Sequence, residues 1–170
     1  MIVDEAAVAR HAIARQFLTR EARTLDDGEF QEWVADFLAE EVTYRVPTRT
    51  TQERETRSEF GRESYHLNET RDSLETRVNR LENEYAWSAN PPSRIRRVVS
   101  NIAVDPSGDD GLTVTDYLVV LRYDRDDRRA QLLSAERVSE LQVDEQSVRL
   151  SNRDVFLDQT AIGFDHLPLL

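Results

Sequence analysis

Histidine, cysteine and paired carboxylates do most of the metal-binding and proton-moving chemistry of proteins, and this chain is sparing with the first two. It has three histidines and no cysteine. Without thiolates there is neither a disulfide framework nor a thiolate metal site, whatever the compartment. His11, His66 and His166 lie far apart in sequence, and none belongs to an H-x-x-x-H pair that would set two ligands on one helix face. An iron site of two histidines and one carboxylate would need two of them to converge on folding, and nothing in their spacing calls for that. His11, on a mainly polar helix face, and His166, near the C-terminal end, read as solvent-exposed or incidental. His66 stands beside Asn68 and Glu69. It reads as a residue at the start of a helix satisfied by local hydrogen bonds, with a place in a pocket or at an interface as the other reading.

The acidic pairs Glu40-Glu41, Asp109-Asp110 and Asp126-Asp127 fall at predicted helix ends and turns, where solvated carboxylates belong. Asp116 is different. Val114, Asp116, Leu118 and Val120 share one face of a predicted strand, while Thr115, Tyr117, Val119 and Leu121 share the other. With both faces largely apolar, Asp116 is expected to be partly buried, where desolvation raises a carboxyl pKa and a cationic neighbour lowers it. A structural ion pair with an arginine is preferred here over a general base. The five glycines form no phosphate-cradling loop. No residue is therefore assigned a catalytic, cofactor-binding or metal-ligating role.

The 33 acidic residues exceed the 22 basic ones and give a net charge of −11, which opposes sequence-independent binding to nucleic acid or to anionic membranes. Every basic residue is arginine, since the chain contains no lysine. A surface adapted to high salt and an arginine-biased GC-rich coding sequence both explain this. The longest apolar runs, such as Leu118 to Leu121, are strand-sized and far short of the ~20 residues of a membrane span. Met1-Ile2-Val3-Asp4-Glu5 carries acid where a secretory signal carries a basic stretch. The expected location is the cytoplasm.

These residues must be positioned by the elements around them. At 170 residues the chain suits one domain, residues 1–170. Asp4 to Leu25 is predicted as an amphipathic helix with Ala14, Leu18, Ala22 and Leu25 at helical spacing and Ile13 and Phe17 beside them. Asp26 and Glu29 have the spacing of a capping box. They would start a second helix that buries Phe30, Trp33, Val34, Phe37 and Leu38 on one face. Val42 to Val46 alternates as a short strand stopped by Pro47, 48–65 reads as a solvated loop, and Asn68 to Tyr85 returns to helical period. After Pro91-Pro92, four strands follow over Arg94–Val104, Leu112–Tyr123, Ala130–Val143 and Val148–Asp158, joined by polar turns. Helices first and a meander second imply an α+β domain with the N-terminal helices packed on one face of a curved antiparallel β-sheet. The segment Ile162, Phe164, Leu167 to Leu170 is too apolar to be left in water. It is expected to dock on its own domain or on a neighbouring copy.

Leu25-Asp26-Asp27-Gly28-Glu29-Phe30-Gln31-Glu32-Trp33 and Glu41 to Pro47 resemble the opening of the small (β) subunits of aromatic-ring-hydroxylating dioxygenases. Arg77-Val78, Arg80-Leu81, Tyr85-Ala86-Trp87, Pro91 to Arg94 and Val99 to Ile102 are similar to that family's central block in order and spacing, and Phe156 to Gln159 to its last strand. Arg97, where the family often has histidine, and the acidic stretch 48–65 depart from its pattern.

The resemblance implies a nuclear-transport-factor-2-like cone and a structural, non-catalytic role. It also implies a partner: a large (α) subunit that holds a Rieske 2Fe-2S cluster and a mononuclear iron for cis-dihydroxylation of an arene, in a complex of three large and three small subunits. A Rieske centre takes two cysteines and two histidines, so a chain without cysteine cannot be the one that ligates it. Two other functions remain open at this stage because such folds host unrelated activities: a free-standing isomerase or dehydratase on the same cone, and a ligand-binding or interaction module. Tyr85, Trp87, Arg94, Arg96, Arg97 and Asn101 are the residues expected at the subunit interface, since aromatics and arginine are enriched at interface hot spots. For Trp87 the competing place is the domain's own core.

Overall fold

The computed structural model describes residues 4–49, 60–87, 93–108, 110–123, 130–160 and 167–170, the side chains of 60–63 and 84–87 excepted. Helix α1 (Glu5–Asp27) opens on Asp4, whose carboxylate accepts the Ala6 N–H at 3.0 Å. It closes on Gly28 at φ 80°, where the backbone N–H returns to Thr24 C=O. That left-handed C-cap favours a residue without Cβ. The buried stripe is Ala14, Phe17, Leu18, Glu21 and Leu25, so a carboxylate stands in the middle of the apolar face and Ala22 lies to its side.

The second helix departs from expectation. All five expected residues from Phe30 to Leu38 are buried, yet they belong to three pieces: a single turn α2 (Phe30–Glu32), a wide π-helical turn (Trp33–Phe37), and the start of strand β1 (Leu38–Arg49). Asp26 is not its cap, because it lies inside the last turn of α1 and the residue preceding α2 is Glu29, which makes no side-chain capping bond. The Asp26 carboxylate is instead drawn to Arg97, taking Nη1 at 2.6 Å and the backbone N–H at 3.1 Å. With charge on both partners, the guanidinium–carboxylate bond is stronger than a cap bond from an uncharged backbone N–H. The abrupt change from π turn to strand leaves carbonyls open, and two arginines close them: Arg71 donates to Val34, Leu38 and Ala39, and Arg149 to Ala35 and Leu38.

Strand β1 continues through Pro47, with register shifts on either side of it; such irregularities accommodate a residue without N–H. Its antiparallel partner is β2 (Phe60–Thr70). The expected loop over 48–65 is therefore strand at both ends, and 50–59 lies outside the described residues. A polar edge strand gives no apolar alternation to read. Helix α3 (Arg71–Trp87) starts after Asn68 and buries Leu74 and Val78.

Strands β3 (Arg94–Ser107), β4 (Gly111–Tyr123), β5 (Gln131–Val143) and β6 (Val148–Leu157) form the expected antiparallel meander. The six strands lie in the order β2-β1-β6-β5-β4-β3. Because β1 runs parallel to β6, the sheet is mixed rather than antiparallel throughout. No hairpin joins these two strands, so nothing forces them to reverse. A bulge at Asn101, φ 52°, shifts the β3–β4 register between Ser100 and Ala103. Asparagine tolerates that left-handed conformation better than most side chains. The extra residue keeps β3 facing inward, through Ile95, Arg97 and Val99 before it and Ile102 and Val104 after it.

Helices on the inner side of a curved sheet give the α+β cone. Leu169 and Leu170 are buried in its core, and Leu167 packs against it. Where it is described, the apolar C-terminal segment thus docks on its own domain; Ile162 and Phe164 lie outside the described residues. Among those residues no helix is long and apolar enough to cross a membrane.

Candidate functional site

Among the described residues, two places concentrate charged and aromatic side chains. The first is the interior. Glu21 of α1 meets Arg153 of β6 in a two-pronged pair, Nη1 to Oε1 at 2.8 Å and Nη2 to Oε2 at 2.9 Å, and Oε1 also accepts the indole N–H of Trp33 at 3.1 Å. Arg137 of β5 donates Nε to Asp116 of β4 at 2.9 Å and lies 3.9 Å from Glu21. Arg153 donates its third nitrogen to the Ser139 hydroxyl at 3.0 Å. All four ionic groups are at most 2 % exposed, and two carboxylates balance two guanidiniums. Charges this deep persist only when paired, because removing one leaves its partner desolvated and uncompensated.

The expected role of Asp116 is the one observed: a structural ion pair with an arginine. Its Oδ1 makes no hydrogen bond with a described residue, but Oδ2 is taken by Arg137, which also places Nη2 at 2.7 Å. Burial raises the Glu21 carboxyl, but the charges of Arg153 and then Arg137 more than reverse this and leave it below the ordinary glutamate range. Such a carboxylate is a counter-ion and a poor proton acceptor. The Tyr44 phenol is pushed up, mainly by burial, so it stays protonated. Burial alone would lower Arg153, but the charge and hydrogen bond of Glu21, together with Tyr44 and Asp116, raise it above the ordinary arginine range and hold the guanidinium charged.

Histidine contributes nothing to this interior among the described residues. His11 is exposed on α1, its Nε2 3.3 Å from Ile102 C=O. His66 is exposed on β2 instead of starting a helix, and His166 lies outside the described residues. No group of three or more His, Asp or Glu able to hold a metal occurs among those residues. Composition and pattern had singled out Asp116 but missed Glu21, Arg137 and Arg153. The signal was present in each: Glu21 sits in the stripe with Phe17, Leu18 and Leu25, Arg137 alternates with Ala135 and Ser139, and Arg153 with Val155 and Leu157.

The second place is the outer face of β3, β4 and β5. Val98, Tyr117, Tyr123 and Leu132 are exposed there, with Val98 and Leu132 each at least half accessible. The register sets them side by side: Val98 pairs with Val119, Leu121 with both Arg96 and Leu132, and Tyr123 with Arg94. Arg94 and Arg96 project outward from β3, a strand at the sheet edge, and neither forms an ion pair with a described residue. Asn101 is exposed at the bulge. Arg97 points the other way. Its guanidinium is held by Asp26 and by Leu169 C=O, and burial lowers its pKa although Asp26 opposes that. Tyr85 and Trp87 belong to the last turn of α3, and their side chains lie outside the described residues.

Residues 20–163 match the family described as ring hydroxylating beta subunit. The chain is 32% identical over 157 residues to the β subunit of biphenyl 2,3-dioxygenase from Rhodococcus jostii, covering 89% of this chain and 83% of that one. To the β subunit of benzene 1,2-dioxygenase from Pseudomonas putida it is 31% identical with the same coverage. Among solved structures, a chain of naphthalene 1,2-dioxygenase with indole bound in its active site superposes with a TM-score of 0.81 at 22% identity, covering 95% of this chain and 84% of that chain.

Proposed function

The chain belongs to the ring-hydroxylating dioxygenase β-subunit family, and from that premise we propose that it is the structural small subunit of a Rieske non-heme iron oxygenase. A large α subunit supplies the Rieske cluster and the mononuclear iron that activate O2 for cis-dihydroxylation of an aromatic compound. This chain supplies surface and rigidity, and the complex works in the cytoplasm with three copies of each subunit. The observation that carries the non-catalytic role is the state of the interior. Glu21 and Asp116, the carboxylates a free-standing isomerase or dehydratase would use as a base, are both held by arginine.

The contact with other subunits falls to the outer face of β3 to β5 and, on the sequence reading, to the end of α3. Arg94, Arg96, Asn101, Tyr85 and Trp87 are its anchors from the sequence, and Val98, Tyr117 and Leu132 join them on grounds of exposure. Contiguous exposed apolar area rimmed by arginine is what a protein interface offers. Co-expression with an α subunit, followed by light scattering and iron analysis, tests this. A complex of three plus three with iron retained by the α subunit alone is the expected result. Stoichiometric iron and O2 consumption in the isolated chain would overturn the proposal.

A further inference from the structure

Arginines are outnumbered by acids on this chain, yet three of them stand on one helix without a carboxylate. The outward side of α1 carries a groove of about 550 Å³ lined by residues of that helix alone, among them Val8, His11, Arg15, Arg20 and Arg23. All five are exposed, and none of the three arginines forms an ion pair with a described residue. Arg10, on the same helix, is by contrast answered by Asp4 at 3.5 Å. The opposite charge is left open on the segment that α1 packs against, where Phe17 meets Phe37 of the π turn at 5.5 Å between ring centroids and Arg20 lies 5.6 Å over that same ring. Glu29, Glu32, Asp36, Glu40 and Glu41 are exposed there, and none of them pairs with a described arginine. The guanidiniums that reach this segment, Arg71 and Arg149, donate to the main-chain carbonyls of Val34, Ala35 and Leu38 rather than to its carboxylates. We propose that the outward side of α1 is the docking surface for a second copy of this chain, whose acidic ridge from Glu29 to Glu41 it receives.

Charge selects both the partner and the pairing. With a net charge of −11, two copies repel each other over most of their surface. Stripe against stripe, or ridge against ridge, would add like charges in close contact. Stripe on ridge sets Arg15, Arg20 and Arg23 against carboxylates, which the guanidinium fork can take two-pronged, and Val8 adds apolar area beside them. Nucleic acid or an anionic lipid surface would also offer negative charge to the stripe. It would then face the ridge on the neighbouring segment and the acidic body behind it, which oppose its approach. This surface is distinct from the outer face of β3 to β5, and its role does not rest on the one assigned to that face.

Sedimentation of the full chain in low salt, and again at about 1 M salt where the Debye length falls to ~3 Å, reads this contact. Self-association is expected in low salt, and its loss at high salt. Two charge reversals follow: Arg15→Glu with Arg23→Glu on the stripe, and Glu32→Arg with Asp36→Arg on the ridge. All four positions are exposed, so each variant should melt close to the parent chain. Each variant alone should self-associate about tenfold or more weakly than the parent. Mixed one-to-one, the two should associate with each other about as well as the parent does with itself, because each presents the charge that the other lacks. Damage to folding cannot produce that rescue. A parent chain that stays monomeric in low salt at its highest soluble concentration, association that survives high salt, or a mixture no better than the separate variants would each overturn the proposal. So would binding of the parent to phosphatidylserine vesicles or duplex DNA that the stripe reversal abolishes. Binding of the α subunit by Leu132→Asp is a separate measurement, so failure on the sheet face and failure on α1 remain distinguishable.

Discussion

The two faces of one sheet use the same residue types to opposite ends. On the inner face, arginine is buried and answered: Arg137 and Arg153 meet Asp116 and Glu21 within hydrogen-bond distance. On the outer face, Arg94 and Arg96 stand among exposed Val98, Tyr117 and Leu132 without a carboxylate partner in the described residues. Paired charge inside a low-dielectric core fixes one arrangement and resists change. Outside, the one hydrogen bond of these two guanidiniums among the described residues is that of Arg96 to the neighbouring Ile95 C=O at 3.2 Å. The contrast teaches that a titratable residue at a strand position says little until its face is known: among the described residues, the buried charges of the inner face are paired and the outer face exposes large apolar side chains beside arginine.

The sharpest challenge to this contrast is Glu21→Ala. It removes the carboxylate that Arg153, Arg137 and Trp33 share, and it should destabilise the isolated domain by about 3–5 kcal/mol in chemical denaturation. A loss below ~1 kcal/mol would mean that the interior pairs are not holding the fold. Assembly of whatever fraction stays folded should be unaffected.

Leu132→Asp on the outer face should do the reverse. Domain stability should stay within about 0.5 kcal/mol, while association with the α subunit weakens by ~2 kcal/mol or more, as expected for an interface anchor. Tyr117→Ala gives the same comparison without adding charge. If both variants assemble like the parent chain, the adhesive face lies elsewhere.

Acid should separate the two regions by titration. The Glu21 carboxyl is held below its ordinary value, so its contribution to stability is complete above the unfolded-state pKa of about 4.3 and is lost as pH falls through the lower folded value. The stability gap between the parent chain and Glu21→Gln should therefore be constant near neutrality and shrink below about pH 4. A gap that grows on acidification would reverse the assigned sign.

The smallest effect is expected from a pair that resembles the interior ones but lies near solvent. Arg45 forks onto Asp154 at 2.6 and 2.8 Å, with side chains 35 % and 23 % exposed. Solvent screening limits such pairs, so Asp154→Asn should cost about 1 kcal/mol or less. A cost near that of Glu21→Ala would show that burial is not what separates strong pairs from weak ones.

The sequence by itself determined the class of domain, the three helical regions, the last four strands nearly to their ends, and the ion-paired fate of Asp116. Strand alternation and helical period are local, and an acid between Val114 and Leu118 is conspicuous wherever the strand packs. Family membership was legible from ordered motifs spread over most of the chain. Tertiary structure alone decided which partner each charge takes. Glu21 and Arg153 are separated by 132 residues, and Tyr44 reaches Leu170 across 126, distances over which no periodicity carries information. It also decided the parallel pairing of β1 with β6, the strand hidden in the polar stretch before α3, the loss of Asp26 as a cap, and the inward turn of Arg97. Each of these is a competition between a local preference and a non-local contact, and in each the charge-assisted bond or the sheet ladder formed by folding was the stronger.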